Sequence, residues 1–417
     1  MKTLILGSGA REHAIAWAFA QSRTNSGLFC LPGNAATAEL GTNLHGDPEN
    51  IAAVLKATQY TGSKLVIVGP EAPLAAGVAD SLREAGLAVF GPGKEAAKLE
   101  ASKSFARALT DRAGIPSAAT KQFIAFNDFA AWLPGKEGNK LVLKKSGLAA
   151  GKGVFESADP NELKAFAKKV LQSDTVLVEE FLEGYELSVF ALCDGEDYIL
   201  MPACADHKKS GEGNQGQNTG GMGAICPVPC SDPDLMRRIE SIIIEPTFRM
   251  LWQEGLLYRG GLFFGIMVTA SGPKLLEFNV RFGDPETQSL LPLLASDAID
   301  LFWTVSTGRV RELQLEYRPL TAVGITLAAP GYPGAYPAHI PVQALPASSA
   351  NALLFHASTL RDAEGQLRTG GGRCFSAVGL GQDYFQAHSR ALKLAEAVHF
   401  EGVWFRHDIG RAFCKDS

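Results

Sequence analysis

Glu277 and Asn279 stand two residues apart in LLEFNVRFGDPETQ, residues 275 to 288. In an extended strand that spacing puts both side chains on one face. A carboxylate beside an amide oxygen is a hard donor pair suited to Mg²⁺, which keeps several waters and bridges substrate phosphates. Arg281, Asp284 and Glu286 follow at once and interrupt the apolar context of Leu275, Leu276, Phe278 and Phe282. A solvated strand edge would carry similar charges, but the apolar interleaving favours a site.

Three other segments could serve polyphosphate or base chemistry. GLAAGKG, residues 147 to 153, has three residues between Gly147 and Gly151 where a Walker loop has four, and Gly153 stands where that loop needs a hydroxyl. What remains is a Gly-rich turn after a strand bearing Lys144, in which backbone amides and Lys152 could cover phosphates. VEEFLEGYE, residues 178 to 186, interleaves carboxylates with Val178, Phe181 and Leu182, as the wall of a purine cleft would. ADHKK, 205 to 209, and NTGGMGA, 218 to 224, read as a polar loop, and a lone His207 there is expected to be structural.

GSGARE at the N-terminus places Gly7 and Gly9 at the first two positions of a dinucleotide fingerprint, but Glu12 occupies the third. The second strand also ends at Pro32 and Gly33, without an acidic residue for a ribose. A nicotinamide cofactor is therefore not expected. Gly7 and Gly9 instead suggest amides open to a phosphate at a helix N-terminus, with Arg11 adding charge.

The elements that must position these residues alternate over the first hundred positions. Strands at Leu4 to Leu6, Leu28 to Leu31, Leu65 to Val68 and Leu87 to Phe90 enclose helices near Glu12 to Ala20, Ile51 to Ala57 and Ala75 to Ala85. That order predicts a parallel sheet with helices on both faces and ligand loops at the carboxyl ends of its strands. An α+β middle region follows. Its helices are expected at Lys103 to Pro116, Asn161 to Leu171 and Asp234 to Trp252. Its strands are expected at Leu141 to Lys144, Thr175 to Glu179, Glu186 to Cys193, Tyr198 to Pro202, Gly261 to Thr269 and Lys274 to Phe278. The Pro- and Gly-dense stretch 331 to 341 marks a loop near the start of a smaller C-terminal domain.

At 417 residues the chain exceeds one compact core and suggests about three domains. A net charge of −5 gives no basic surface for nucleic acid or membrane. Seven scattered cysteines read as reduced thiols, with no zinc assigned to Cys226 and Cys230. No apolar run is long enough to cross a membrane, and a cytoplasmic location is expected.

Taken together, GSGAREHA, PGNAATA (32 to 38), VGPEAPLAAGVAD (68 to 80), GLAAGKGV, NTGGMGA and EFNVRFGDPETQ resemble, in order, the motifs of the phosphoribosylamine-glycine ligase family of the ATP-grasp superfamily. GGR at 371 to 373 adds a C-terminal signal. The resemblance implies a Rossmann-like α/β domain at 1–100, an ATP-grasp domain at 101–322 with a small nucleotide-covering lobe at about 120–186, and a small α+β domain at 323–417. It implies a reaction in which ATP activates glycine as glycyl phosphate, which 5-phosphoribosylamine then attacks to give glycinamide ribonucleotide, ADP and phosphate. Another ATP-grasp carboxylate-amine ligase is the alternative.

By the same resemblance, Lys103 and Lys144 contact phosphates, with Gly147, Gly151, Lys152 and Gly153 in the covering turn. Glu179 and the backbone of Leu182 read adenine, and Glu186 holds ribose. Glu277 and Asn279 carry Mg²⁺ or Mn²⁺. Gly9, Arg11, Glu12, Asn34, Glu71, Asp206, Lys208, Thr219, Gly221, Met222, Gly223, Arg281, Gly283, Asp284 and Glu286 surround glycine and the ribosylamine, and Arg281, Asp284 and Lys144 are the catalytic set. A monomer or weak homodimer is expected. The chain departs from the family pattern at Ala10, Ala36, Gln217 and Val280. A short link, Gln172 to Asp174, also stands where relatives carry a longer loop, so covering of the nucleotide is expected to differ.

Overall fold

The computed structural model describes residues 1–136, 138–149 and 153–414. Five parallel strands open the chain: β1 (Lys2–Gly7), β2 (Gly27–Pro32), β3 (Thr42–Asn43), β4 (Leu65–Val68) and β5 (Ala88–Phe90), in the order β3-β2-β1-β4-β5. LVIV of β4 is buried throughout, because helices cover both faces of a parallel sheet and its central strands become continuously apolar. The helices are α1 (Ala10–Ala20), α2 (Thr37–Leu40), α3 (Ile51–Thr61), α4 (Glu71–Ala76) and α5 (Val78–Glu84). The single helix expected over 75–85 is split, since Gly77 takes a left-handed φ of 90° and ends α4 one residue before α5 begins.

The strand order reverses between β1 and β4, and such a switch point is where doubly wound sheets take ligands. Here the protein's own carboxylate enters it. A Cβ built on Gly69 would lie 2.1 Å from Glu12 Oε1, and one on Gly7 would lie 2.8 Å from Glu12 Cδ.

Two further helices, α6 (Lys94–Ala101) and α7 (Lys103–Arg112), lead into a small lobe. The Ser102 side chain accepts from Phe105 N and so caps α7, which sets Lys103 at its first position. The lobe contains β6 (Thr120–Phe123), α8 (Phe126–Trp132), β7 (Leu141–Lys145), β8 (Val154–Ser157), α9 (Pro160–Val170) and β9 (Val176–Glu180). Its antiparallel sheet runs β6-β9-β7-β8 and buries its own core, including Phe129, Leu143, Leu163 and Val176. The short link after α9 ends in Asp174, whose Oδ2 accepts from Gly147 N at 3.0 Å, so the link is tied to the Gly-rich turn.

Opposite stands a second antiparallel sheet, β11-β10-β16-β17, made of β10 (Tyr185–Cys193), β11 (Tyr198–Leu200), β16 (Gly260–Thr269) and β17 (Gly272–Asn279). Between β11 and β16 come β12 (Ala205–Asp206), β13 (Lys209–Gly211), β14 (Gln215–Asn218), β15 (Gly223–Cys226), α10 (Pro233–Ile239) and α11 (Glu245–Gln253). The helix expected over 234–252 is continuous except for one π turn, Glu240–Ile244, just before Pro246. Proline lacks an N–H and crowds the carbonyl four residues back, and a wider turn relieves both.

The chain closes with α12 (Glu286–Leu290), α13 (Ala298–Ser306), β18 (Thr321–Ala328), β19 (Val342–Ala344), β20 (Ala352–His356), β21 (Thr359–Arg361), β22 (Leu367–Thr369), β23 (Arg373–Gly381), α14 (Tyr384–Glu396) and β24 (His399–Phe400). The boundary expected at 322–323 falls inside β18. That strand joins β15 on one side and β23 on the other, in a sheet ordered β12-β15-β18-β23-β20. All seven cysteines are free thiols. No helix among the described residues is long and apolar enough to cross a membrane.

Candidate functional site

A cleft of about 1170 Å³ lies between the two antiparallel sheets. On the small-lobe side, β7 and β9 pair so that Val142 faces Glu179, which sets Lys144 one diagonal step away. Lys144 Nζ lies 2.7 Å from Glu179 Oε2 and also donates to Leu276 O at 3.1 Å. The other carboxylate oxygen is 2.7 Å from a guanidinium nitrogen of Arg107 on α7. Glu179, expected from the resemblance to read adenine, is instead buried with both oxygens held by cations. Its evident effect is to aim Lys144 at the cleft, since an acceptor-only group between two cations fixes both.

On the facing sheet, Glu277 and Asn279 project together from the end of β17, as their spacing predicts, and both line the cleft. Lys208 reaches from the loop after β12 to pair with Glu186 of β10 and, at 3.3 Å, with Glu277. Burial alone would raise the Glu277 carboxyl, but Lys208, Lys144 and Lys103 outweigh it and hold it down at about 2. The group is therefore an anion at neutral pH. Among the described residues no cluster of three or more His, Cys, Asp or Glu could by itself cage an ion. One carboxylate and one amide oxygen suit a hard divalent cation that takes its other ligands from water and phosphate.

Arg281 begins a second, denser network. Its guanidinium meets Glu71 at 3.3 Å and Glu100 at 2.9 Å, and these carboxylates push its pKa further up against the effect of burial. Arg11 donates to Phe282 O at 3.0 Å and to Glu12 at 2.6 Å. Asp284 lies 3.3 Å from Arg373, and that guanidinium also donates to Gly220 O at 2.6 Å and Asp284 O at 2.9 Å. Burial raises the Asp284 carboxyl, but Arg373 and Arg11 prevail and keep it low. Asp206 goes the other way, because burial and the neighbouring Glu286 both push it up. Glu286 itself, raised chiefly by burial, accepts from Ser188 Oγ at 2.8 Å.

The cleft gathers most of the residues expected from sequence. Lys103, Lys144, Gly153, Glu179, Leu182 and Glu186 line it with Glu277 and Asn279, as do Arg11, Glu71, Asp206, Lys208, Thr219, Arg281, Gly283, Asp284 and Glu286. Val142, Phe181, Met267, Leu276 and Phe278 add apolar wall. Gly151 and Lys152 lie outside the described residues.

Several expected residues stand back from the lining, each for a visible reason. Gly9 N donates to Glu12 Oε2 at 2.6 Å, so the helix N-terminus that seemed open to phosphate is closed by its own carboxylate. Asn34 gives its amide to Ser8 O, His356 O and Ala357 O, and its oxygen accepts from Ala36 N and Thr37 N, which makes it a tie between the turn after β1, the segment from β2 to α2 and the end of β20. Gly147 N is taken by Asp174. Met222 is fully buried in the core. Gly221 and Gly223 have no room for a side chain: a Cβ would fall 2.3 Å from Pro285 Cδ at the first and 2.3 Å from Gly324 O at the second.

Sequence reading missed Glu100, Arg107 and Arg373. Glu100 left a signal, for in KEAAKLEA it shares one helix face with Ala96 and Ala97, at i+4 and i+3, and all three are buried. Arg373 sat in the noted GGR without a role, and Arg107 is an ordinary helix cation by pattern.

Over its length the chain matches three family models: Phosphoribosylglycinamide synthetase, N domain (residues 1–100), ATP-grasp (A) domain (101–287) and C domain (322–412). It is 41% identical to a phosphoribosylamine–glycine ligase of Agrobacterium fabrum, over 98% of each chain. A Vibrio cholerae protein of the same name is 39% identical, over 100% of this chain and 99% of its own. Among solved structures, a phosphoribosylamine–glycine ligase from Thermotoga maritima superposes with a TM-score of 0.85 at 33% identity, covering 98% of this chain and all of that one. The biotin carboxylase domain of a Hydrogenobacter thermophilus 2-oxoglutarate carboxylase shares the fold at 14% identity, with a TM-score of 0.72.

Proposed function

The chain belongs to the phosphoribosylglycinamide synthetase family, and from that premise we infer that it is an ATP-dependent ligase joining glycine to 5-phosphoribosylamine in purine biosynthesis. The observation that carries the reading is a juxtaposition. Lys144 of one sheet and Glu277 and Asn279 of the other face a single cleft, whose lining also contains Arg281 and Asp284.

In this reading ATP lies between the sheets, its base against Met267, Leu276 and Phe181 near the backbone of Leu182, and its ribose near Glu186. Lys103 and Lys144 meet the phosphates, and Glu179 with Arg107 behind it keeps Lys144 aimed at them. A divalent cation, Mg²⁺ or Mn²⁺, would be held by Glu277 and Asn279 and would supply charge neutralisation on the phosphates. Arg281 orients the glycine carboxylate, one oxygen of which attacks the γ-phosphorus. ADP leaves, and glycyl phosphate remains. The ribosylamine nitrogen then attacks the glycyl carbonyl, the C–O bond to phosphate breaks, and the proton released by the amine is taken up by the departing phosphate, which leaves as HPO4²⁻ as the amide forms.

Positioning and exclusion of water matter more here than a protein nucleophile, because the acyl phosphate is already a reactive donor. Arg373, by holding Gly220, Gly221 and Asp284, shapes the floor on which the second substrate sits. We assign residues 1–100, 101–322 and 323–417 to the N-terminal, ATP-grasp and C-terminal parts, joined through the sheet that contains β15, β18 and β23.

The test is a mass-spectrometric product assay with ATP, freshly generated phosphoribosylamine and a panel of small amino acids. Glycinamide ribonucleotide should appear with glycine, in step with ADP. Turnover with another acid or amine and none with this pair would replace the substrate assignment with a different ATP-grasp ligation.

A further inference from the structure

Asn279 can serve a cation only with its oxygen, so which end of its amide faces the cleft matters. The neighbours decide this. Its side chain is satisfied with the nitrogen 2.9 Å from Glu100 Oε1 and 3.3 Å from Phe278 O, both of them acceptors. That arrangement turns Oδ1 the other way. Glu100 comes from α6, far away in sequence, and only 7% of its surface is exposed. Its other contacts pin it: Oε2 accepts from Val280 N at 2.7 Å, and Oε1 accepts from Arg281 at 2.9 Å. With Oε2 accepting from Val280 N and Oε1 from Arg281, the carboxyl meets its neighbours as an acceptor, and it draws the nitrogen of an adjacent amide toward itself.

We propose that Glu100 is a positioning residue that orients Asn279, holding its nitrogen inward so that its oxygen is presented beside Glu277 to a divalent cation. The same carboxylate anchors Arg281. One buried side chain therefore sets both the cation ligand and the guanidinium two residues further along the strand end. This inference rests on the reading of Glu277 and Asn279 as cation ligands. Partners behind a metal ligand that fix its orientation commonly matter by 10- to 100-fold in metal affinity.

The alternative is that Glu100 only neutralises Arg281, and Gln substitution separates the two roles. In Glu100→Gln the side chain gains an amide nitrogen, the demand on Asn279 becomes ambiguous, and the Asn279 nitrogen is free to turn outward. Binding of Mn²⁺ to the full-length protein in the presence of ADP, read from the free-ion paramagnetic resonance signal, should weaken by about tenfold or more. The double variant E100Q/N279D should recover to within about threefold of the wild type, because a carboxylate at 279 presents an oxygen whichever way it turns. Unchanged Mn²⁺ binding in E100Q, or a double variant no tighter than E100Q, overturns the proposal.

Glu277→Gln separates this failure from failure of the cation site itself. If E277Q binds Mn²⁺ like the wild type, the site reading falls. If E277Q loses binding while E100Q retains it, only the role of Glu100 falls. A measurement on the unmutated side chain covers the case in which E100Q does not fold. In protein labelled with ¹⁵N-asparagine, the Asn279 amide pair, assigned by its loss in N279D, should be protected from solvent exchange. Rapid exchange would put the nitrogen in the cleft and overturn the proposal.

Discussion

Acid should loosen this protein through His13, where the N-terminal helix α1 meets β20 of the C-terminal part. His13 Nδ1 accepts from His356 N at 2.8 Å, and only 7% of the residue is exposed. Burial, with the nearby His356 adding to it, lowers the His13 pKa from 6.5 to about 3. A histidine depressed in this way contributes stability that is fully present above the unfolded value and is lost as pH falls toward the folded one. The unfolded chain takes up a proton that the folded state refuses. Between pH 7.5 and pH 5 that linkage removes about 2 kcal/mol through His13 alone, at a limiting slope of about 1.4 kcal/mol per pH unit. His13→Asn keeps an acceptor near the position of Nδ1 but cannot titrate. Urea unfolding at a series of pH values, followed by tryptophan fluorescence and far-ultraviolet dichroism, should show the wild type more stable at pH 7.5 and the two proteins converging by about 2 kcal/mol at pH 5. Parallel curves would refute the reasoning and show that His13 already titrates near its ordinary value in the fold.

Three further outcomes follow from the cleft. Lys144→Ala should keep the fold, since Arg107 still neutralises Glu179, yet reduce kcat/KM for ATP by about 10²-fold; steady-state kinetics at sub-saturating ATP checks this. Glu277→Gln should lower kcat by about 10²- to 10³-fold, with excess Mg²⁺ restoring only part of it; a Mg²⁺ titration like the wild type's would remove Glu277 from the cation site. Arg373→Met removes the hydrogen bonds to Gly220 O and Asp284 O, and should raise KM for glycine or phosphoribosylamine about tenfold while leaving KM for ATP within about twofold, a split readable by varying each substrate in turn.

What the sequence made legible follows from the range of the forces involved. Strand period is local, so the shared face of Glu277 and Asn279 could be read from two letters two apart. The buried strands β1, β2 and β4 showed as apolar runs for the same reason. Strands β12, β13 and β14 did not, because two to four residues carry no period and their pairing is set by partners elsewhere. The GSGARE turn was misleading in an instructive way. Glycine spacing suggested a place for an outside phosphate, but Glu12, third in α1, reaches back to Gly9 N and fills the crevice between β1 and β4 that the two glycines open.

Glu100 shows where local reading stops. In KEAAKLEA, Glu95 and Glu100 have the same chemistry, yet Glu100 stands i+4 and i+3 from the buried Ala96 and Ala97 and is itself buried, while Glu95 is exposed. A carboxylate on an apolar stripe cannot stay ionised in the core without a cation and further donors. Helical period alone therefore demands that α6 pack against a positively charged group. It says nothing of which group, because any of the 39 lysines and arginines would satisfy the demand. The partner is Arg281, 181 residues away, with Val280 N beside it. Once that pairing is known, the orientation of Asn279 follows from hydrogen-bond chemistry, and Glu100 becomes the support of the strand end that carries Glu277.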